Sequence, residues 1–126
     1  MAPPHYVSGI LGRLIGADMN STADQEITIN AAKYIVRKII AANPSTSLTL
    51  AAGGIYTAAS KGGTAIVAAV TVYSGLTAAA KYVDLTLAAL LGTDALTLAS
   101  LYLSLTTGQG APATADIYVI GDALPT

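Results

Sequence analysis

The sequence predicts an all-β fold: an antiparallel β-sandwich of jelly-roll or other Greek-key type with about seven or eight strands, preceded by an N-terminal arm. Three observations carry this reading. Alternating or continuous apolar runs recur at turn spacing, Thr, Ile, Val and Tyr fill them, and Gly, Pro, Asn, Asp and Ser interrupt them. The rest of the chain is organised around Leu48 to Tyr73, LTLAAGGIYTAASKGGTAIVAAVTVY. There, strand pieces flank a bend at Gly53-Gly54, and Ser60 to Gly63 forms a hairpin turn in which glycine supplies positive φ.

Residues 1–20 read as the arm, and residues 21–126 as the β domain. The arm combines Pro3, Pro4 and three glycines with Val7, Ile10, Leu11, Leu14 and Ile15. Those apolar positions fit one helical face, but each glycine weakens a helix by about 1 kcal/mol, so at most a short helix is expected. Such an arm docks on another subunit, packs on its own domain or is disordered.

Asn20 to Asp24 is turn material, and Gln25 to Asn30 follows as a strand with Ile27 and Ile29 on one side. Tyr34 to Ala42 also has helical spacing at Ile35, Val36, Ile39 and Ile40. Its β-branched residues and the stop at Asn43-Pro44 favour a strand. Leu48 to Leu50 and Gly54 to Ala59 are strand pieces. Ala65 to Tyr73 reads as the central strand, with Ile66, Val70 and Val72 on one face.

Tyr82 to Ala88 alternates, with Val83, Leu85 and Leu87 inward. A Gly-Thr-Asp turn sits within Leu90 to Ala95. Thr97 to Thr107 then sets Leu101, Leu103 and Leu105 opposite Tyr102, Ser104 and Thr106. After a loop over Gly108 to Thr114, the last strand runs from Asp116 to Ile120, closed by Gly121-Asp122.

A chain of 126 residues has room for one core. Hydrophobic residues make up 53% of it, but Phe and Trp are absent, so the core is built of smaller side chains and self-association would add to its stability. Charged residues are only 10%, against roughly 25% in an ordinary soluble domain, which is expected where neighbours in an assembly cover much of the surface, or in a thermally robust secreted β domain. The formal net charge is −1, with no basic cluster beyond Lys33, Arg37 and Lys38, so nucleic acid is not an expected partner. The absence of Cys removes disulfides and thiolate chemistry and is compatible with a reducing cytoplasm. The N-terminus does not read as a signal peptide, and no apolar window reaches the roughly 20 residues of a membrane span.

Little in the chain points to a reaction centre. The one histidine, His5, lies in the arm beside two prolines. The acidic residues Asp18, Asp24, Glu26, Asp84, Asp94, Asp116 and Asp122 lie mostly at strand ends or beside turns, where Asp caps backbone amides. One His and no Cys serve zinc poorly, no calcium-loop spacing occurs, and the glycine pairs belong to β turns rather than phosphate loops. The expectation is a non-enzyme with no cofactor and no metal. The tyrosines are scattered one per strand, which suits the edge of a core or an interface.

The motif GGIYTAASKGGTAIVAA, with ADQEITIN and YIVRKIIAANPS upstream and TTGQGAPATADIYVIGD downstream, resembles small virion structural proteins of tailed bacteriophages. These are head-associated or decoration proteins, and the likeness runs from about Asn20 to Leu124. The resemblance implies a β-rich body, gathering as a homotrimer at capsid symmetry axes, attachment to the major capsid protein, stabilisation of the head, and residence on the capsid surface after synthesis in the host bacterial cytoplasm. It implies no active site.

The expected function is therefore capsid decoration by binding alone. The candidate contact residues in the arm are Tyr6, Ile10, Leu11, Leu14 and Ile15. In the β domain they are Tyr56, Lys61, Tyr82 and Tyr102. The alternative is a carbohydrate-binding or adhesive module of a phage fibre or tail, in which Tyr side chains stack on sugar rings.

Overall fold

The computed structural model describes residues 7–79, 81–88 and 95–124. These residues form eight strands: β1 (Val7–Asp18), β2 (Gln25–Thr28), β3 (Tyr34–Ala42), β4 (Ala52–Ala58), β5 (Gly62–Val67), β6 (Tyr82–Leu85), β7 (Ser100–Thr107) and β8 (Thr114–Ala123). No helix occurs among the described residues. The strands make two four-stranded antiparallel sheets, ordered β1-β8-β3-β6 and β2-β7-β4-β5. Only β4 and β5 are neighbours both in sequence and in a sheet; every other connection crosses between the sheets.

Alternation along the strands places the apolar residues of both sheets in one shared cluster. Ile39, Ile117 and Val119 of the first sheet and Ile27, Ile55, Leu101, Leu103 and Leu105 of the second are all fully buried within it. Ile, Leu and Val at these positions remove apolar area from water at roughly 25 cal/mol per Å², which makes this cluster the main source of stability.

Two seams join the sheets at their edges. On one side Gly12 pairs with Ile29, and Asn30 N donates to Leu11 O at 2.8 Å. On the other, Val67 pairs with Leu87, and Ala88 N donates to Ile66 O at 2.9 Å. Edge amides that would otherwise template aggregation are thus partly consumed within the molecule.

The region around residues 7–18 differs from expectation. Instead of an arm with at most a short helix, it is a strand, hydrogen-bonded to β8. Register shifts fall between Ile10 and Gly12 and between Leu14 and Ala17. Each bulge advances the alternation by one residue, so Leu11 and Ala17 are buried and Leu14 packs on the core, whereas Ile10 and Ile15 face solvent. A twice-bulged strand therefore imitates the spacing of a helical face. Residues 1–6, with His5 and Tyr6, lie outside the described residues.

The expected central strand over Ala65 to Tyr73 also differs. β5 ends at Val67 and is an edge strand of its sheet. A turn closed by Thr71 N to Ala68 O at 3.0 Å then throws Val70 outward, 84% exposed, and Val72 is exposed as well. The chain returns to the sheet when Tyr73 N donates to Ala51 O at 3.1 Å, and Tyr73 is buried.

Leu48 to Leu50 is not a strand, although Leu48 is buried and donates its amide to Leu76 O at 2.9 Å. The last strand runs past the expected stop at Gly121-Asp122 to Ala123. The turn expected within Leu90 to Ala95 lies largely outside the described residues.

The bend at Gly53-Gly54 is present, with a register shift between Ala52 and Gly53. A Cβ at Gly54 would collide with the carbonyl oxygen of Val67, and one at Gly53 with the backbone of Leu105, so only glycine lets the neighbouring strands approach. The hairpin turn is also present, closed by Gly62 N to Ala59 O at 3.1 Å. Its two central residues are Ser60, at φ 59°, and Lys61, at φ 57°, so the left-handed backbone falls on these non-glycine residues as well as on Gly63, at φ 65°. Side-chain contacts hold it there.

Candidate functional site

The turn at Ser60-Lys61 leans across β7 to reach the start of β2. Ser60 N donates to Asp24 Oδ2 at 2.7 Å, and Lys61 Nζ donates to Ser104 Oγ at 3.0 Å. The Asp24 carboxyl is held below its ordinary range, first by the Ser60 amide, then by the Ser104 hydroxyl and by the charge of Lys61. A Ser and Lys at this distance resemble a nucleophile and its base. However, Ser104 is 0% exposed and bonded to Asp24, so no substrate carbon can approach its Oγ. The arrangement acts as a clamp that fixes the β4-β5 hairpin over the outer face of the second sheet.

Beside the clamp, the hairpin forms one wall of an open groove of about 450 Å³. Thr57, Ala58 and Ala59 line it on that side, with Leu98, Ser100 and Tyr102 beneath and Glu26 opposite. Ser100 Oγ donates to Glu26 Oε2 at 2.5 Å, which orients the carboxylate. The groove thus sets an aromatic ring, a carboxylate and hydroxyls side by side.

The first sheet presents a different surface. Its outward residues are set by register: Arg13, Tyr118, Ile40 and Asp84 lie in one row across β1, β8, β3 and β6. The next row holds Asp116, Ala42 and Tyr82, with the Ile15-Gly16 bulge facing Asp116, whose Oδ1 accepts from Gly16 N at 2.8 Å. On the other side of the first row lie Ile10, Ile120 and Lys38. Ile10 is 59% exposed, Ile15 57% and Tyr82 68%, while Ile40, Tyr118 and Ile120 are partly exposed between them. Two ion pairs lie within the same face, Arg37 with Asp122 at 2.9 Å and Lys38 with Asp84 at 3.9 Å.

No family model, no curated protein and no solved structure matches the chain. The function therefore has to be argued from these surfaces.

Of the residues expected to make contacts, Ile10, Ile15 and Tyr82 come together on the outer face of the first sheet. Leu11 is in the core instead, because the first bulge turns it inward, and Leu14 packs on that core. Tyr56 is buried as well, in register with Tyr102 and Ala65. Lys61 belongs to the clamp and Tyr102 to the groove. Tyr6 lies outside the described residues. Leu50, Val70 and Val72 are exposed large apolar residues that the alternation pattern did not single out, since it sets Val70 and Val72 on the same face as Ile66.

The buried tyrosines serve structure. Burial pushes the Tyr34 phenol up to about 12, and its OH donates to Leu98 O at 2.8 Å. Tyr73 is pushed up further by burial, with Tyr56 adding to the effect, and donates to Gly53 O at 3.2 Å. Among the described residues no group of three His, Cys, Asp or Glu could hold a metal ion, and no helix is long and apolar enough to cross a membrane.

Proposed function

We propose that this chain is a non-enzymatic virion structural protein of a tailed phage: a capsid decoration or cement protein that binds the outer shell surface and stabilises the head. Its body is read as a jelly-roll sandwich. The strand orders β1-β8-β3-β6 and β2-β7-β4-β5 support this, since they are what two nested Greek keys produce when every pair of successive strands but β4 and β5 alternates between sheets. The shared apolar cluster supports it too.

One observation carries the functional reading. Apolar residues stay open at two places on a body that is pinned internally: the outer face of the first sheet, and Leu50, Val70 and Val72, of which Val72 pairs with Ala52 at the start of β4. A cement protein needs two such surfaces, one toward its own copies and one toward the major capsid protein. Repeated moderate contacts then add up, because a held subunit presents its neighbours at high effective concentration. The proposal includes synthesis in the host cytoplasm and a working location on the capsid surface.

The test is sedimentation of the purified chain with expanded heads of the phage that carries its gene. Saturable uptake together with raised heat resistance of the heads is the expected result, and neither occurring would remove the reading.

A second reading, a glycan-binding or adhesive module, draws on the groove. An aromatic ring beside an oriented carboxylate can stack on a sugar while accepting from its hydroxyls, and Tyr102, Glu26 and Ser100 offer that set. Glycan-array binding abolished by Tyr102→Ala and by Glu26→Gln would favour it.

A further inference from the structure

We infer that the outer face of the first sheet is the contact surface for a second copy of this chain, related by a two-fold axis. The axis lies in the plane of contact, parallel to the strands and between β8 and β3. The inference does not depend on the shell being the other partner.

Opposite charges sit at opposite edges of the face. Arg13 at one edge has no partner among the described residues, and Asp84 at the opposite edge has only Lys38 at 3.9 Å, the outer limit of an ion pair. Both occupy the row Arg13, Tyr118, Ile40, Asp84, in which β1 and β6 are the outer strands and β8 and β3 the inner ones. Turning a second sheet over onto the first about this axis exchanges β1 with β6 and β8 with β3. Each Arg13 then meets the Asp84 of the other copy, and each Tyr118 meets Ile40.

The neighbouring row obeys the same operation. The bulge carrying Ile15 and the strand end carrying Tyr82 are the two edges of that row, so the exposed isoleucine of one copy covers the exposed tyrosine of the other. Every contact occurs twice, as an isologous interface requires. Stacked sheets with nearly aligned strands pack about 10 Å apart at about 30°, and parallel strands related by this axis satisfy that geometry. Arg13, Arg37 and Lys38 are balanced by Asp84, Asp116 and Asp122, so the face carries no excess of one sign to attract nucleic acid or an acidic surface. Two-fold pairing gives even numbers of chains, unlike the three-fold cluster that the resemblance implies.

The absence of cysteine permits a direct test in the full chain. Within one molecule, positions 15 and 82 are on opposite edge strands, about 14 Å apart at three strand spacings, whereas across the stacked sheets they face each other at about 10 Å. Treated with a bismaleimide that spans about 10 Å, the double variant Ile15→Cys with Tyr82→Cys is expected to be linked into a covalent dimer, while each single variant stays unlinked. An unlinked double variant, or a ladder of higher species, overturns the inference. Sedimentation supplies the second arm: Arg13→Asp or Asp84→Arg should weaken the dimer at least about tenfold, and the two changes together should restore it. A parent chain that is monomeric or trimeric at micromolar concentration, or a charge swap without restoration, also overturns it.

Discussion

Lys61 Nζ lies 3.0 Å from Ser104 Oγ across 43 residues of sequence, and this contact fixes the β4-β5 hairpin over its own sheet. Because Ser104 is fully buried while Lys61 is exposed, the two ends differ in what their loss would do. Ser104→Ala should lower stability by about 1 kcal/mol, the usual worth of a lost hydrogen bond, and Lys61→Met by less. Urea unfolding of both variants checks this, and a neutral Ser104→Ala would show that the clamp holds nothing.

The same clamp should respond to acid. The folded Asp24 carboxyl titrates below its ordinary value, so its contribution is complete above that value, about 4, and is lost as pH falls through the folded pKa. Amide protection factors around residues 59–62 are expected to drop on acidification while those around Leu103 persist. Asp24→Asn should flatten the response.

At alkaline pH the sign is reversed. Tyr34 is raised to about 12, so its contribution is complete below the ordinary phenol value of about 10 and is lost as pH rises toward 12. Ultraviolet titration should find Tyr34 and Tyr73 ionising late among the seven tyrosines, together with unfolding. Tyr34→Phe should remove part of that dependence; a single uniform titration near 10 would contradict it.

Core and surface valines and leucines should separate sharply. Leu103→Ala empties part of a fully buried site and should cost about 2–5 kcal/mol, whereas Val70→Ala should fall within about 0.5 kcal/mol of the parent chain. Thermal or urea unfolding decides. A large loss at Val70 would contradict its outward placement.

That contrast shows where the sequence is legible. In β3 the β-branched run stops at Asn43-Pro44, and in β7 Leu101, Leu103 and Leu105 alternate without interruption, so local pattern and fold agree. β1 is obscured because its two bulges turn a period of two into an apparent helical stripe. β5 is obscured because the turn at Ala68 to Thr71 breaks the strand without glycine or proline to mark it.

The surfaces divide in the same way. Asp24 and Asp116 do receive backbone amides, as Asp beside turns is expected to, and Ile10, Ile15 and Tyr82 are open to contact. The clamp could not be read in advance, since Lys61 and Ser104 meet only once the hairpin leans over its sheet. Leu11 and Tyr56 are closed off by a bulge and by register, neither of which composition records.

Adhesion to a shell is tested most directly by electron cryomicroscopy of virions from the phage that carries this gene. The account predicts two-sheet density at fixed positions on the outside of the head, with Leu50, Val70 and Val72 against the shell. Absence of the chain from purified particles, or its location inside the head, would contradict it.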